Sequence, residues 1–287
     1  MMPGTLTDTV DLVWDLTRER PTLGGALVLR QEGELLARLG HASSINLHLA
    51  CAESGRVIAE RLAETVFASS AFTFHLHRSS SPVEGWPTAA VRAFPEFSYF
   101  SFSRLLILCS DNGLTPRLDW HPRQLGLAGQ VRGRFPGHLV CVHLRSVSPF
   151  SVEESNADGP AWAKFFADHA RPGSLDFLLI GDDPLPAGFS LRPGVTRAAS
   201  LGMDLAAQLA LVASADGFLG MASGVCTAAN LSETPHVIFK HPAHHPADMA
   251  RELGSADRFP FAGPRQRLWR RVVTPETLRE ALTLIFS

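Results

Sequence analysis

Short apolar runs alternate with amphipathic helical segments through the second half of the chain, and this alternation constrains the fold more than any other feature. Strand-sized apolar runs are predicted at residues 138–145, 175–180, 217–220 and 236–240. Helices are predicted at residues 160–169, 204–213 and 223–231, and from the Thr274-Pro275-Glu276 start signal onward. Strands that alternate with helices at this spacing predict an α/β domain built on a parallel, doubly wound sheet.

The first half predicts a similar but less regular pattern. Residues 1–20 are predicted as an amphipathic helix or an arm without regular structure. Strands are expected at residues 26–30, 45–51, 72–77 and 105–109. Helices are expected at residues 33–39 and after Ser54, where Ile58, Leu62 and Val66 recur at helical spacing. Residues 111–137 are rich in glycine, proline and arginine, so the domain boundary is placed there, giving domains 1–130 and 131–287.

Composition limits the function classes. A chain of 287 residues with 45% hydrophobic and 19% charged residues has enough apolar material for two folded domains. A net charge of −2 disfavours nucleic acid as a partner. The four widely spaced cysteines favour buried, reduced thiols, and no secretory signal or membrane-length apolar run occurs, which predicts a cytoplasmic protein.

Residues 203–242 carry the functional argument. Their pattern predicts a helix, a tight turn, a strand, a turn of small residues, a second helix, a Thr-Pro turn and a final strand. The Ala222-Ser223-Gly224 turn lies where the strand passes into the helix. Backbone N–H groups and the positive end of a helix dipole at such a turn suit a phosphate group. In a parallel sheet this is also the edge at which ligands bind.

This segment resembles the C-terminal domain of GT-B glycosyltransferases, especially the heptosyltransferase-like branch. The motifs that match in order and spacing are Ala215-Asp216-Gly217-Phe218-Leu219-Gly220, Ser223-Gly224 and Thr234-Pro235-His236-Val237. The resemblance implies two Rossmann-like domains facing across a cleft, with the acceptor side in residues 1–130 and the nucleotide-sugar side in residues 131–287.

Three positions depart from the family pattern. Ala222 replaces an acidic residue, Val225 replaces a proline, and Thr227 stands where a histidine is expected. The fold inference survives these changes, but the identity of the donor is left open. The departures also motivate an alternative, a catalytically inactive GT-B-like protein that binds a glycan or a protein partner.

Two further motifs suggest site residues. His143-Leu144-Arg145 resembles the His-x-Arg strand end of fucosyltransferase-type GT-B enzymes, which implies that Arg145 holds the donor diphosphate. The alternative is a strand-terminal arginine paired with an acidic neighbour. Gly33-Glu34-Leu35-Leu36 resembles the Gly-Asp-Ile/Leu turn after the first strand of heptosyltransferases, which makes Glu34 a candidate general base. The alternative is an exposed glutamate at a helix start.

The predicted activity is the transfer of a hexosyl, heptosyl or fucosyl group from a nucleotide-diphosphate donor to the hydroxyl of a glycan, lipid-linked or protein acceptor. No metal or cofactor is expected, and a position at the membrane periphery is left open. The predicted catalytic residues are Glu34 and Arg145, and the predicted donor-binding residues are His143, Arg145, Asp182, Met203, Asp204, Ser223, Gly224 and Val225.

Other chemistries fit less well. Gly220-Met221-Ala222-Ser223-Gly224 has one residue too many before the serine for a hydrolase nucleophile elbow. The prolines among His241, His244 and His245 break any helix that would align metal ligands, so a loop near the acceptor is favoured. Neither a dinucleotide-binding glycine motif nor a P-loop is present in the sequence.

Overall fold

The computed structural model describes residues 9–17, 21–40, 42–79, 91–92, 102–147 and 155–287. The chain divides into two compact units, Met1–Pro122 and Arg123–Ser287. The division falls inside the predicted connector, earlier than the predicted boundary after residue 130. Within the described ranges, every helix is too short or too polar to cross a lipid bilayer.

The described residues of the first unit form a parallel sheet. Its strands are β1 (Thr9–Asp15), β2 (Ser44–Ala50), β3 (Thr73–Ser79) and β4 (Val91–Arg92). Its helices are α1 (Leu23–Gly40), α2 (Glu53–Val66) and α3 (Ser103–Asn112). The strand order is β3-β2-β1-β4, and each pairing is parallel, which is the arrangement of a Rossmann-like half-sheet.

Several predictions for the first unit are wrong. Residues 9–15 form a strand of the sheet, where a helix or arm was expected. Residues 26–30 lie inside the 18-residue helix α1, which is buried almost all round, so its apolar run lacks the helical period. Residues 105–109 belong to α3, which ends at Gly113 in the left-handed conformation. In α2 the buried face is formed by Ala59, Ala63 and Val66, and Ile58 is 57% exposed.

The second unit begins within α4 (Pro122–Arg132), and its described residues form six strands. The strands are β5 (His138–His143), β6 (Leu175–Leu179), β7 (Val195–Arg197), β8 (Gly217–Met221), β9 (His236–Phe239) and β10 (Gln266–Trp269). The helices are α5 (Gly159–His169), α6 (Leu205–Val212), α7 (Cys226–Asn230), α8 (Pro246–Leu253) and α9 (Pro275–Phe286), with a short 3-10 turn at Ala198–Leu201. The predicted parallel α/β fold is confirmed; β7, β10 and α8 were not predicted, and α4 lies where a connector was expected.

The sheet order of the second unit is β10-β9-β8-β5-β6-β7, and all its pairings are parallel. Read from β7, the strands come third, second, first, fourth, fifth and sixth within the unit, which is the doubly wound Rossmann order. The direction of winding reverses between β5 and β8. The loops that leave the carboxyl ends of these two strands therefore diverge to opposite faces and leave a crevice, which is where ligands bind in such sheets.

The core of the second unit lies between the sheet and helices α5 and α9. Trp162, Phe165 and Phe166 of α5 are fully buried, and both phenylalanine rings contact the ring of Phe177 on β6. The predicted start of α9 is confirmed, because Thr274 caps the helix in a reciprocal capping box. All four cysteines are buried and free.

A carboxyl group in α1 makes the stability of the chain depend on pH. Glu32 is buried, its carboxylate oxygens have no hydrogen-bond partner within the described residues, and Arg104 Nη2 lies 3.6 Å from Oε2. Burial raises the pKa of Glu32 from 4.5 to about 7, although Arg104 opposes the shift. The folded chain therefore binds this proton more tightly than the unfolded chain. The resulting stability is complete below pH 4.5 and is lost as the pH rises to about 7.

We expect Glu32→Gln to raise the free energy of unfolding at pH 8 by roughly 1–3 kcal/mol, because an uncharged amide removes the cost of ionising a buried acid. Urea denaturation followed by circular dichroism at pH 5 and pH 8 measures the effect. Glu64→Gln, at an exposed position of α2, is the matched control and should change neither value. An equal gain from both variants, or a gain only at pH 5, would contradict this account.

Candidate functional site

The switch point of the second unit brings Arg145 over the predicted phosphate-binding turn. His143 on β5 pairs with Gly220 on β8, so the residues that follow these strands lie side by side. Arg145 Nη1 donates to the carbonyl oxygen of Ala222 at 3.4 Å. Its Nε atom is buried and has no hydrogen-bond partner in the described part of the chain. An unsatisfied buried donor on a cationic side chain favours an anionic ligand at this place.

The turn itself is accessible. Ala222, Ser223 and Gly224 are half-buried, whereas Val225 and Cys226 are buried. Helix α7 begins at Cys226, later than the predicted start at residue 223, and has five residues. A helix this short has a weak dipole, so the charge of Arg145 contributes more to anion binding here than the helix does.

Ser223 is oriented by a buried thiol. Its hydroxyl donates to Cys226 Sγ at 3.5 Å, and the thiol of Cys226 donates to the carbonyl oxygen of Met221 at 2.8 Å. Burial raises the pKa of Cys226 to about 12. The thiol therefore stays protonated and is not a nucleophile, and its role is to hold the turn.

His143 lies beneath this edge of the sheet. Its exposed fraction is 2%, and its Nδ1 donates to the carbonyl oxygen of Ile180 at 3.0 Å. Burial lowers the pKa of His143, so the ring is neutral. The prediction placed His143 and Val225 in contact with the donor. Both residues are buried, with 2% of His143 and 7% of Val225 exposed, so their contact with the donor stays a prediction.

The carboxylate that links the ends of β5 and β6 is Asp183. Its Oδ2 accepts from the backbone N–H of Ser146 at 3.1 Å and lies 3.8 Å from His143 Nε2. Asp182, the predicted residue, is exposed. The sequence could not distinguish Asp183 from Asp182, because both aspartates directly follow the same predicted strand.

The loop before α6 is held by Gln208, which was also missed. Gln208 is 1% exposed; its Oε1 accepts from Gly181 N at 2.8 Å and its Nε2 donates to Met203 O at 3.0 Å. Asp204 caps α6 by accepting from Ala207 N at 2.8 Å, and Met203 is buried. A lone glutamine in the apolar helix α6 was the available signal, since a buried amide must find partners.

Cationic side chains lie at the carboxyl edge of the second sheet. Lys240 follows β9 and is buried. Burial, together with the nearby charges of Lys240, His245 and Arg145, lowers the pKa of His244 to about 4. His244 is therefore neutral near pH 7, while Arg145 and Lys240 make the edge favourable for an anion. Among the described residues, no group of three or more potential ligands is arranged to hold a metal ion, and metal independence stays a prediction.

The predicted turn around Glu34 is wrong. Gly33 to Leu36 lie in the middle of α1, and Glu34 is fully buried. Its Oε1 lies 2.6 Å from Arg30 Nε and accepts from Ser70 Oγ, also at 2.6 Å, while its Oε2 accepts from Asp119 N at 3.1 Å. A base must reach the proton that it removes. A carboxylate enclosed in this way does not meet that condition, so the structure removes the reason for the assignment.

No protein-family model and no curated protein matches the chain. Among solved structures, a family 9 glycosyl transferase from Veillonella parvula DSM 2008 matches with a TM-score of 0.55 and 12% identity, over 96% of this chain and 97% of that chain. The E. coli heptosyltransferase WaaC with ADP matches with a TM-score of 0.51 and 10% identity, over 96% and 99%. E. coli ADP-heptose lps heptosyltransferase II matches with a TM-score of 0.52 and 12% identity, over 96% and 98%. At this identity the likeness shows the fold, and the predicted GT-B, heptosyltransferase-like fold is confirmed.

Proposed function

We propose that this chain is a glycosyltransferase that moves a sugar from a nucleotide-diphosphate donor to an acceptor hydroxyl. The observation that carries the proposal is the buried, unpaired Nε of Arg145 above an accessible turn at the switch point of a GT-B fold. One solved structure of similar fold, the E. coli heptosyltransferase WaaC, holds ADP. A nucleoside diphosphate is therefore the first ligand to test.

The proposed donor site uses residues of the second unit. The diphosphate lies against Arg145 and the turn at residues 222–224, with Lys240 adding positive charge. The loop that carries Met203 and Asp204, fixed by Gln208, is directed to the base or the ribose. When the bond between the sugar C1 and the diphosphate oxygen breaks, its electron pair passes to the diphosphate, and Arg145 stabilises the growing charge without a metal ion.

The acceptor oxygen must lose a proton as its bond to C1 forms. Glu34 is not proposed for this role. Asp15 is a half-buried carboxylate at the carboxyl end of β1, the end at which ligands bind in parallel sheets. Its Oδ1 accepts from Thr17 N at 3.1 Å, which fixes its orientation. Asp15 therefore marks the ligand-binding edge of the first sheet, and no proton transfer is assigned to it.

A second candidate function is an inactive protein of the same fold that binds a glycan or a protein. Two observations favour it: Ala222 stands where the family has an acidic residue, and Glu34 is enclosed in α1. The two functions differ in whether the free nucleotide is released from a nucleotide sugar.

We expect Arg145→Ala to weaken the binding of a nucleoside diphosphate at least tenfold, because a charge-assisted hydrogen bond contributes about 1.5–3 kcal/mol. ADP, GDP and UDP are titrated by calorimetry, with thermal unfolding as a check. A ligand at ~100 times its dissociation constant should add about 2.7 kcal/mol of stability. Arg192→Ala is the matched control, since Arg192 is exposed and precedes β7, at the opposite edge of the sheet.

Equal losses in Arg145→Ala and Arg192→Ala would contradict the assigned site. If none of the three diphosphates binds the unmodified chain, the transferase proposal fails and the binding-protein alternative stands. If one binds, release of that nucleotide from its sugar conjugate separates an active transferase from an inert receptor.

A further inference from the structure

The histidine loop, residues 241–245, leads from β9 to α8 at the carboxyl edge of the second sheet. Its backbone forms a turn, because the N–H of His244 donates to the carbonyl oxygen of His241 at 2.9 Å. Pro242 occupies the second position of this turn, where the fixed φ of proline is favoured. The N–H of Ala243 donates to His241 Nδ1 at 3.2 Å. The loop is therefore held in shape by its own hydrogen bonds.

His245 fixes the end of the histidine loop in an unusual conformation. It has φ of +53° and ψ of +50°, in the left-handed region, and no other non-glycine residue of the described ranges has a positive φ. Pro246 follows it, although the residue before a proline is ordinarily extended. Such a conformation persists only where the surroundings enforce it, and it is found most often at ligand-binding and active sites. The histidine loop therefore presents its side chains in one enforced arrangement.

His244 is the side chain of this loop that shares the environment of the proposed diphosphate site. It is half-buried, and its ring centroid lies 4.2 Å from that of His245. Within the described ranges, both of its ring nitrogens are without a hydrogen-bond partner. Arg145 and Lys240, the two cations of the proposed site, act on it electrostatically. An anion that binds to these cations therefore acts on His244 as well.

The charges around His244 make its protonation depend on a ligand. In the described part of the chain, the ionisable groups that act on it are all basic: Lys240 after β9, Arg145 after β5, and His241 and His245 of the loop. Together with burial they lower the pKa of His244 to about 4, so the ring is neutral in the free chain near pH 7. A bound diphosphate brings negative charge, which favours the protonated ring and raises its pKa.

We propose that His244 is a proton-dependent ligand of the donor diphosphate, an inference that rests on the proposed transferase function. The neutral ring takes one proton from the solvent as the nucleotide sugar binds, and the imidazolium then donates a charge-assisted hydrogen bond to a phosphate oxygen. Because binding takes up a proton, the added affinity is complete below about pH 4 and is lost as the pH rises through the pKa of His244 in the complex. Nucleotide affinity is therefore regulated by pH through this side chain.

Nucleotide sugars are the probes for the test, because both phosphates of their diphosphate bridge are esterified and do not titrate between pH 5.5 and 8. ADP-glucose, GDP-mannose and UDP-glucose are titrated into the unmodified chain, and the one that binds is used throughout. Calorimetry at pH 6.5 in MES and in ACES, which differ in ionisation enthalpy, counts the protons taken up. We expect uptake of about 0.5 proton or more per ligand, and an affinity that falls about tenfold from pH 5.5 to 8.

His244→Gln removes the titration and keeps a hydrogen-bond donor. We expect it to bind the probe about tenfold more weakly than the unmodified chain at pH 5.5, to vary less than about twofold up to pH 8, and to take up no proton. His169→Gln is the matched control. His169 is half-buried with a lowered pKa, and it ends α5 before β6 begins, so it lies at the opposite edge of the sheet. This variant should behave as the unmodified chain does.

Two substitutions at His245 test the enforced loop. Asparagine adopts the left-handed conformation at little cost, so His245→Asn should retain the proton uptake. Valine is branched at Cβ and resists that conformation, so His245→Val should lose most of the uptake. Circular dichroism checks that both variants are folded.

Equal proton uptake by the unmodified chain and His244→Gln would overturn the inference and leave the diphosphate site in place. A loss of affinity in His244→Gln that is the same at pH 5.5 and pH 8 would also overturn it, since a neutral hydrogen bond would then suffice. Equal uptake by His245→Asn and His245→Val would overturn the part given to the loop. Failure of every probe to bind the unmodified chain would overturn this inference and the transferase proposal together.

Discussion

Replacing Glu34 with alanine is expected to lower the free energy of unfolding by about 3–5 kcal/mol, because it leaves the guanidinium of Arg30 buried without its counter-charge. Both side chains are fully buried. Burial raises the pKa of Glu34 and lowers the pKa of Arg30, so each depends on the other to stay ionised. The loss should appear in urea denaturation as a lower midpoint of the transition of the first unit.

The effect is large because the pair organises several chain segments. Arg30 Nη1 donates to the carbonyl oxygen of Val66 at 2.9 Å and to Ser69 Oγ at 3.0 Å, and its guanidinium lies 4.5 Å from the ring of Trp120. Glu34 accepts from Asp119 N at 3.1 Å. Loss of the carboxylate therefore removes a hydrogen bond between α1 and the segment around residues 119–120, as well as unpairing the cation.

Two variants separate this account from a catalytic role of Glu34. Glu53→Ala removes another helix ion pair, to Arg56, but Glu53 is 77% exposed, and we expect a change below about 1 kcal/mol. The double variant Arg30→Met with Glu34→Leu should recover part of the lost stability, since an apolar pair leaves no buried charge. A Glu34→Ala chain with unchanged stability and lost turnover would refute this assignment.

Replacing Gly181 with valine is expected to cost about 3 kcal/mol or more and to abolish nucleotide binding. Gly181 has φ of +97°, a conformation that costs a residue with a Cβ atom about 1–2 kcal/mol. A Cβ atom at residue 181 would also lie 2.8 Å from Nδ1 of His143, inside the hydrogen bond between His143 and Ile180. Because His143 is buried, it cannot move aside without displacing the end of β5, which lies two residues before Arg145.

Gly173→Val is the matched control for the backbone strain. Gly173 has φ of +76°, and a Cβ atom there would meet nothing within 4 Å. It precedes β6, whereas Gly181 follows it, so the two lie at opposite edges of the sheet. We expect Gly173→Val to lower stability by about 1–2 kcal/mol and to leave nucleotide affinity intact. Calorimetry and denaturation on both variants measure the difference, and equal losses of affinity would contradict the role given to His143.

The architecture of the second unit was predictable because its signals are local. Its strands are short apolar runs, and its helices begin at caps such as Asp204 and Thr274. Each of these side chains accepts a hydrogen bond from the backbone N–H three residues later. The Ser223-Gly224 turn could be located for the same reason. The three-residue strand β7 was missed because so short a segment has no period to detect.

The errors in the first unit have a different physical cause. Helix α1 is buried on nearly every side, so the amphipathic period that identifies a helix is absent. Glu34 was therefore predicted to follow a strand, whereas its partners Ser70 and Asp119 are distant in sequence and join it only through the tertiary fold. Gln208 and Asp183 escaped prediction similarly, since their roles depend on backbone groups of other loops.

The burial of every native thiol has a practical consequence for labelling. The thiolate is the reactive form of cysteine, and burial raises the pKa of Cys109 to about 11 and those of Cys141 and Cys226 to about 12. Cys51, also buried, has its pKa raised as well. We therefore expect the native cysteines of the folded chain to react slowly with maleimide dyes. A single cysteine introduced on its surface can carry a fluorophore without prior removal of the native ones.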